Sequence, residues 1–251
     1  GAILKMDETL EEGELVKVYT HGGNFIGVGH FQIGSITVRI LSFHDVPIDA
    51  DFWQSRLKAA VTVREAIGVI RPEESVAATG ETVNTTYRLV HGEGDNLPGL
   101  IVDVYGKTCV LQAHSVGMHV ARYEIADALR AVLGEKIDSI YYKSETTLPF
   151  KADLGQENGF LYGDTDNNIA IENGLKFHID WLKGQKTGFF IDQRENRSLL
   201  EYYAKGRSVL NMFCYTGGFS VYAMRGGAKM VHSVDSSAKA VELTNENIAL
   251  N

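Results

Sequence analysis

The sequence predicts a multidomain protein of mixed α/β and α+β class, with a small β domain, an α+β middle domain and an incomplete doubly wound α/β domain. Three patterns carry this prediction. Short β-rich runs come first, strands with one helix follow, and a strand, glycine turn, helix and strand come last. The 251 residues, 44% of them hydrophobic, suffice for two or three cores. We expect domains at 1–70, 71–184 and 185–251.

The N-terminal segment has the pattern of a bent β unit followed by a helix. Three β-rich runs, at 15–19, 25–29 and 36–41, are separated by turns that contain glycine. Apolar residues then recur at a partly helical spacing over 52–67, and Gly68 follows them. This spacing predicts a connecting helix.

The middle segment returns to strands around one helix. Gly106-Lys107 predicts a tight turn between two strands, and Asn173-Gly174 predicts a type I′ hairpin turn. Apolar spacing over 120–133, with Gly134 at the position of a C-terminal cap, predicts the helix. Strands are predicted at 87–90, 100–105, 109–113, 137–142 and 170–179.

The C-terminal segment carries the pattern most informative about chemistry. A strand at 208–214 is followed by Tyr215-Thr216-Gly217-Gly218, a helix at 219–225 and a second strand at 230–234. Such a unit opens a nucleotide-binding fold, in which an acid about 20 residues after the glycines accepts the ribose hydroxyls. Asp235 follows Gly217 by 18 positions, which suits an adenosine ligand.

The glycine turn also discriminates among adenosine ligands. It matches neither GxGxxG, typical of dinucleotide sites, nor GxxxxGK[ST], typical of a phosphate cradle. A ligand without pyrophosphate is therefore favoured, and S-adenosylmethionine is the common one. An ordinary strand-to-helix turn in an α/β sheet stays open as the alternative.

A second polar string, KTGFFIDQRENR at 186–197, lies just upstream. Asp192 followed by Glu195 resembles a capping box, which makes Asp192 a cap and Arg194 and Arg197 solvated first-turn residues. Two arginines near a helix N-terminus oppose the helix dipole, however, which favours a ligand role. Both interpretations stay open on these residues alone.

Charge limits the prediction of a polyanionic partner. The chain has 24 Lys and Arg against 32 Asp and Glu, a net charge of −8. Residues 1–50 carry 3 bases and 7 acids, and only 186–251 is net positive, with 8 bases and 6 acids. Contacts with a nucleic acid would therefore come from local patches.

Cysteine, histidine and hydropathy patterns exclude further classes. Cys109 and Cys214 form neither a disulfide framework nor a CxxC zinc pair. His114 and His119 lack an acidic partner in helical register, so we predict no metal site. No run reaches the ~18 apolar residues of a membrane span, and the start shows no export signal. We expect a cytoplasmic protein without membrane contact.

Five strings together resemble the bacterial large-subunit ribosomal RNA methyltransferase I family. They are FQIGSITVRI at 31–40, YRLVHGEGDNLPGLIVD at 87–103, KTGFFIDQRENR at 186–197, LNMFCYTGGFS at 210–220 and VDSS at 234–237. The resemblance implies a β-barrel-like PUA RNA-binding domain, an α+β middle domain and a Rossmann-like class I methyltransferase domain. It also implies methylation of cytosine carbon 5 in 23S ribosomal RNA, with S-adenosylmethionine as cofactor.

The resemblance further implies roles for individual residues. Asp235 would bind the ribose, within a cofactor set of Lys186, Phe189, Asp192, Gln193, Arg194, Phe213, Tyr215, Thr216, Gly217, Asp235 and Ser236. The expected RNA contacts are Lys17, Arg39 and Arg88. Because residues 1–50 are acidic, we expect weak, salt-sensitive RNA affinity. A homodimer is one expected assembly.

The sequence departs from the family pattern in its catalytic motifs. The Asp-Pro-Pro motif and the Ser-Cys-Ser type segment with the nucleophilic cysteine do not occur in the 251 residues. Cytosine carbon 5 becomes nucleophilic only after a thiolate adds to carbon 6. We therefore expect a fragment shortened at both ends, with no catalytic residue of its own, in which Cys109 and Cys214 have no chemical role.

Three other functions stay open at this stage. The chain could belong to a methyltransferase for another RNA or another base. The residues of the missing Asp-Pro-Pro region would distinguish such an enzyme from a cytosine methyltransferase. It could be a non-catalytic RNA-binding module that fails to bind S-adenosylmethionine. A nicotinamide dehydrogenase is the weakest alternative, because the phosphate-cradling glycines are absent.

Overall fold

The computed structural model describes residues 3–71, 84–149, 154 and 157–251, and the chain forms two compact units. Unit 1 comprises Gly1–Ile67, Arg88–Asp103 and Cys109–Asp164, and unit 2 comprises Gly68–Tyr87, Val104–Thr108 and Thr165–Asn251. Both units are discontinuous in sequence, so they do not correspond one to one with the three expected segments. The boundaries at 70 and 184 stay a prediction.

Unit 1 begins with the small β sheet that the sequence predicts. Strands β1 (Leu15–Tyr19), β2 (Phe25–Phe31) and β3 (Val38–Ser42) pair antiparallel in that order. Gly29 makes the close approach of β2 and β3 feasible, because a Cβ there would lie 2.0 Å from the carbonyl oxygen of Arg39. The three predicted strands are therefore confirmed.

A helix and most residues of a second sheet complete the first unit. Helix α1 (Ala50–Ala66) confirms the predicted connecting helix, and the Asp49 side chain accepts a hydrogen bond from the N–H of Phe52 at its start. The sheet has the order β4-β5-β6-β7-β8. Its strands are β4 (Thr86–His91), β5 (Leu100–Tyr105), β6 (Thr108–Ala113), β7 (Ser139–Tyr142) and β8 (Gly159–Tyr162). No sequence pattern predicted β8.

The predicted helix over 120–133 is wrong at its start. The structure has two helices, α2 (Val116–Val120) and α3 (Arg122–Leu133). Helix α2 begins earlier because the side chain of Ser115 caps the N–H of Met118, and Ala121, with ψ near 2°, separates it from α3. Gly134 follows α3 with φ +54°, as expected of a C-terminal cap.

Unit 2 contains the predicted hairpin and the predicted parallel unit. Strands β9 (Ile169–Glu172) and β10 (Leu175–His178) are joined by Asn173 and Gly174, both with positive φ, which confirms the type I′ turn. Next come α4 (Arg194–Ala204), β11 (Ser208–Met212), α5 (Gly218–Arg225), β12 (Met230–Val234) and α6 (Ala238–Ala249). Strands β11 and β12 pair in parallel, with Ser208 opposite Met230.

One face of the parallel pair is apolar and exposed in the part of the chain that the structure describes. Alternate residues point to this face, and Leu210, Met212, Met230 and Val234 are all classed as exposed. Helix α5 contacts both strands. Parallel sheets usually have both faces covered, whereas this face is exposed among the described residues.

Among the described helices, none combines the length and the apolar composition that crossing a membrane requires.

A neutral histidine lies in the core of unit 1. The ring of His30 stacks on that of Trp53, with 6.3 Å between centroids, and its Nδ1 atom has no hydrogen-bond partner among the described residues. A Cβ at Gly117 would lie 2.1 Å from this ring. Burial lowers the pKa of His30 to about 4, so the folded protein keeps this ring neutral.

We expect this histidine to make unit 1 sensitive to acid. Between pH 6.5 and 4 the unfolded chain protonates this residue and the folded chain does not, so the free energy of unfolding falls as the pH falls. Urea unfolding from pH 7 to pH 4 should show wild type losing up to about 3 kcal/mol more than His30→Leu. The control is His21→Leu, at an exposed turn. Equal slopes for wild type and His30→Leu would contradict the assignment.

Candidate functional site

The turn after β11 has an unusual backbone. Phe213, Tyr215 and Gly217 have φ values of +57°, +49° and +78°, and two of these three residues are not glycine. Left-handed backbone costs free energy in residues with a Cβ, so the surroundings must hold it in place. Functional sites are where such conformations cluster. We call residues 213–217 the cofactor turn.

Asp235, at the end of β12, binds the cofactor turn directly. Its Oδ2 accepts a hydrogen bond from the N–H of Tyr215 at 2.9 Å, and its Oδ1 accepts one from the N–H of Ser237 at 2.9 Å. Backbone hydrogen bonds from Ser237 and Tyr215 lower the pKa of Asp235. The carboxylate is therefore charged at neutral pH, and each oxygen can accept a further hydrogen bond.

The upstream string also contacts the cofactor turn. The Tyr215 hydroxyl accepts a hydrogen bond from the N–H of Gln185 at 2.8 Å, and the Tyr215 ring meets the Phe190 ring edge to face at 5.4 Å. Lys186, with φ +51°, places its Nζ 5.7 Å from the centre of the Phe190 ring. The two strings that the sequence singled out therefore lie side by side.

Helix α6 supplies two supports that the sequence did not reveal. The Thr244 hydroxyl lies 3.0 Å from the carbonyl oxygen of Tyr215, and the Asn247 amide donates to that of Thr216 at 2.7 Å. A Cβ at Gly217 would lie 2.6 Å from the Thr244 methyl carbon, so only glycine fits there. The signal available in the sequence was a polar pair three residues apart on a helix, which is too common to identify a site.

The expected capping box at the start of α4 is wrong. The helix begins after a short 3₁₀ turn at Ile191–Gln193, and its N-cap residue, Gln193, makes no side-chain cap. The Asp192 carboxylate instead accepts from the side-chain amide of Gln193 at 2.8 Å.

Arg197 is buried, not solvated. Its Nε and Nη2 atoms each donate to the carboxylate of Glu172 at 2.8 Å, and its Nη1 donates to the carbonyl oxygen of Phe190 at 3.0 Å. Its guanidinium lies 4.5 Å from the centre of the Phe189 ring. Arg197 thus fixes the string at 186–197 from inside the unit.

The Glu172 carboxylate binds two more donors. Arg194 donates to it at 3.3 Å and also to the carbonyl oxygen of Thr86, and the Tyr222 hydroxyl donates to it at 2.9 Å. Burial and the neighbouring Glu172 charge raise the pKa of Tyr222, so its hydroxyl stays protonated. Two of the three guanidinium nitrogens of Arg194, Nε and Nη2, therefore bond within the chain.

The structure brings together part of the predicted cofactor set. Asp235 bonds to the turn residues Tyr215, Thr216 and Gly217 through Tyr215, and among the described residues Lys186 is linked to them only through the Phe190 ring. Phe189 packs in the core, and Asp192 and Gln193 bond to each other. Phe213 is 85% exposed. Ser236 is also exposed, next to Asp235. The role of each residue stays a prediction.

The three predicted RNA-binding residues lie in unit 1 and have protein partners. Lys17 pairs with Asp45 at 2.7 Å, and Arg39 donates to the Gln32 side chain at 3.3 Å. Arg88 binds Asp103 through two hydrogen bonds, at 2.7 and 2.9 Å. No His, Cys, Asp and Glu group that could hold a metal occurs among the described residues.

Comparison with known proteins assigns a class to both ends of the chain. Residues 159–251 match the family of S-adenosylmethionine-dependent methyltransferases, and residues 1–43 match the PUA-like domains. The two ends of this mixed α/β chain are thus similar to a PUA-like domain and to an S-adenosylmethionine-dependent methyltransferase domain. At the level of these families, the predicted cofactor and domain types are confirmed.

Two proteins that share one name are similar to this chain over nearly its whole length. The chain is 39% identical to the ribosomal RNA large subunit methyltransferase I of Tolumonas auensis over 255 residues, which is all of this chain and 61% of that protein. It is 39% identical to the Aeromonas hydrophila protein of the same name, covering 96% of this chain and 58% of that protein. The chain therefore spans about three fifths of the length of these relatives.

Two solved structures of proteins described as methyltransferases are similar in fold to this chain. A protein described as a SAM-dependent methyltransferase from Streptococcus mutans superposes with a TM-score of 0.78 at 25% identity, over 98% of this chain and 60% of that one. A second structure, of a protein described as a methyltransferase complexed with SAH, gives the same TM-score and identity over 97% of this chain.

We expect Glu172→Gln to destabilise unit 2 strongly. The substitution leaves Arg197 buried without a countercharge, which typically costs about 3–5 kcal/mol. The matched control is Glu201→Gln, because Glu201 binds Arg225 in a partly exposed pair, for which about 0–1 kcal/mol is typical. Urea unfolding followed by circular dichroism measures both. Equal, small losses would show that the buried pair does not hold the unit.

Proposed function

We propose that this chain carries the cofactor-binding part and an RNA-binding domain of a large-subunit ribosomal RNA methyltransferase. The observation that carries the proposal is the position of Asp235, a charged carboxylate bonded to the backbone of the cofactor turn. The names of the relatives support the substrate class. The activity proposed is that of the relatives, of whose length this chain spans about three fifths.

The residues around the turn fit S-adenosylmethionine. Asp235 would accept hydrogen bonds from the two ribose hydroxyls, since its oxygens each bond one backbone N–H and can accept another. Phe213, which is exposed at the start of the turn, would offer an aromatic face to the adenosyl group. The cofactor supplies a methyl group on a positively charged sulfonium. The remaining residues of the predicted set, from Lys186 to Arg194, would enclose it.

The finer proposal concerns the base that is methylated. We propose cytosine carbon 5 of 23S ribosomal RNA, a reaction that needs a cysteine thiolate. Burial and the neighbouring Asp103 carboxylate raise the pKa of Cys109 to about 12, so its thiol stays protonated. Cys214 is buried, with its sulfur 3.6 Å from the Thr244 hydroxyl. In this proposal the nucleophile belongs to the part of the relatives that this chain does not span.

The partners follow from the same proposal. Ribosomal RNA would bind unit 1 through Lys17, Arg39 and Arg88, weakly because each already has a protein partner. A homodimer and a cytoplasmic location stay predictions. The non-catalytic RNA-binding module is the alternative that the cofactor experiment below distinguishes.

We expect the chain to bind S-adenosylhomocysteine and the Asp235→Ala variant to bind it at least about tenfold more weakly, because a hydrogen bond to a charged group is lost for each ribose hydroxyl. Isothermal titration calorimetry measures both dissociation constants. The control is Glu242→Ala, which removes an exposed acid bonded only to Lys239 among its described contacts.

The same titration separates the alternatives. If Asp235→Ala binds S-adenosylhomocysteine as tightly as wild type does, the cofactor site lies outside the cofactor turn. No binding of S-adenosylhomocysteine by wild type would favour the non-catalytic module, and tight binding of NADH would favour a dehydrogenase.

A further inference from the structure

Helix α6 holds two successive carbonyl groups of the cofactor turn. The Thr244 hydroxyl lies 3.0 Å from the carbonyl oxygen of Tyr215 and 2.9 Å from that of Ala240, and it can donate its one hydrogen to either. Nδ2 of Asn247 donates to the carbonyl oxygen of Thr216 at 2.7 Å. Residues three apart share one face of a helix, so a single buried face of α6 makes both contacts. Neither residue belongs to the cofactor set that the sequence predicted.

The Asn247 amide joins the turn to a strand. Its Oδ1 accepts a hydrogen bond from the N–H of His178 in β10 at 2.7 Å, while its Nδ2 binds Thr216. The residue is fully buried, so both ends of the amide are satisfied by protein alone. An amide offers a donor and an acceptor at once, which a carboxylate of the same shape does not.

These contacts oppose the strain of the turn. Phe213 and Tyr215 have positive φ without being glycine, a conformation that persists only where the surroundings impose it. Asp235 holds the N–H of Tyr215, and α6 holds the carbonyl groups of Tyr215 and Thr216. Three successive peptide groups of the turn, 214–215, 215–216 and 216–217, therefore each have one polar atom held by a side chain.

We propose that Asn247, assisted by Thr244, is a positioning residue that holds the cofactor turn in the conformation that binds the adenosyl group. It does so without contacting the ligand, through the carbonyl oxygen of Thr216. This inference rests on the proposed function of the turn. It assigns to α6 a part in cofactor affinity beyond packing.

The test is Asn247→Asp, studied at two pH values. The introduced carboxyl can accept from the N–H of His178 in both protonation states, but it can donate to Thr216 only when protonated. We expect the dissociation constant for S-adenosylhomocysteine to rise about tenfold or more at pH 8 and to return toward the wild-type value at pH 5.5. Burial raises the pKa of such a carboxyl, which brings the change into this range.

Asn251→Asp is the matched control. Asn251 follows Asn247 by four residues, one helical turn. Its side-chain amide accepts a hydrogen bond from the backbone N–H of Lys176 in β10 and donates one to the carbonyl oxygen of Lys176, both at 2.8 Å. Its Nδ2 also donates to the backbone carbonyl oxygen of Asn247 at 2.7 Å, but no hydrogen bond among the described residues joins Asn251 to the cofactor turn. This variant should therefore bind like wild type at both pH values. Asp235, whose pKa is lowered, stays charged throughout. The ionisable groups nearby, such as His178 and Tyr215, are present in every variant, so their effects cancel in the comparison.

Thr244→Val provides a second variant that keeps the shape of the side chain. It removes the hydroxyl that donates to Tyr215 and retains the methyl group beside Gly217, so the fold should persist and the affinity should fall severalfold. If circular dichroism shows that Asn247→Asp is unfolded, this variant decides the question. Weaker binding supports the inference, and unchanged binding overturns it.

The outcomes distinguish this inference from the proposed function. Wild-type binding with unaffected Asn247→Asp and Thr244→Val variants overturns the inference alone. An equal loss in Asn247→Asp and Asn251→Asp, without recovery at pH 5.5, overturns it as well, because the effect would then be one of general packing. Failure of wild type to bind S-adenosylhomocysteine overturns the proposed function and the inference together.

Discussion

The buried carboxylate of Glu172 is the interaction on which the arrangement of unit 2 depends. It lies at the end of β9 and receives donors from Arg194, Arg197 and Tyr222. A carboxylate removed from water is tolerated only where charge and hydrogen bonds compensate it, and here two guanidinium groups do so. Because Arg197 also donates to the carbonyl oxygen of Phe190, the hairpin, α4 and the string at 186–197 are held by one charge cluster.

The cofactor turn is the second constraint, and it is fixed from three directions. Asp235 binds its backbone N–H, α6 binds its carbonyl groups, and Tyr215 bonds to the string that Arg197 secures. Under the proposed function, cofactor affinity and the stability of unit 2 therefore depend on the same groups. A preorganised turn loses little entropy when a ligand binds, which is a physical reason to maintain strained backbone at this point.

Local patterns in the sequence sufficed for most secondary structure and for the location of the candidate site. Asn173-Gly174 specifies a type I′ turn because both positions need positive φ, and the strand, glycine turn and helix from β11 to α5 follow from hydrophobic spacing. Hydrophobic spacing does not predict the early start of α2, because a helix of five residues that begins at a serine cap shows little periodicity. The capping box at Asp192 failed because tertiary contacts of the arginines outweigh a local cap.

What the sequence could not reveal is the set of long-range partners. Glu172 and Arg197 lie 25 positions apart, and Thr216 and Asn247 lie 31 positions apart. Spacing arguments relate residues within one element, so pairs between elements need the fold itself. For the same reason the predicted RNA-binding residues looked available in the sequence, whereas the structure gives Lys17 and Arg88 acidic partners.

We propose that Asp235 and the cofactor turn form an adenosyl site. A crystal structure of this chain with S-adenosylhomocysteine tests this proposal most directly. We expect both ribose hydroxyls to lie within about 3.2 Å of the Asp235 carboxylate. Phe213, Tyr215 and Gly217 should keep their positive φ values. A ligand bound elsewhere, or a ribose without contact to Asp235, would contradict the proposal.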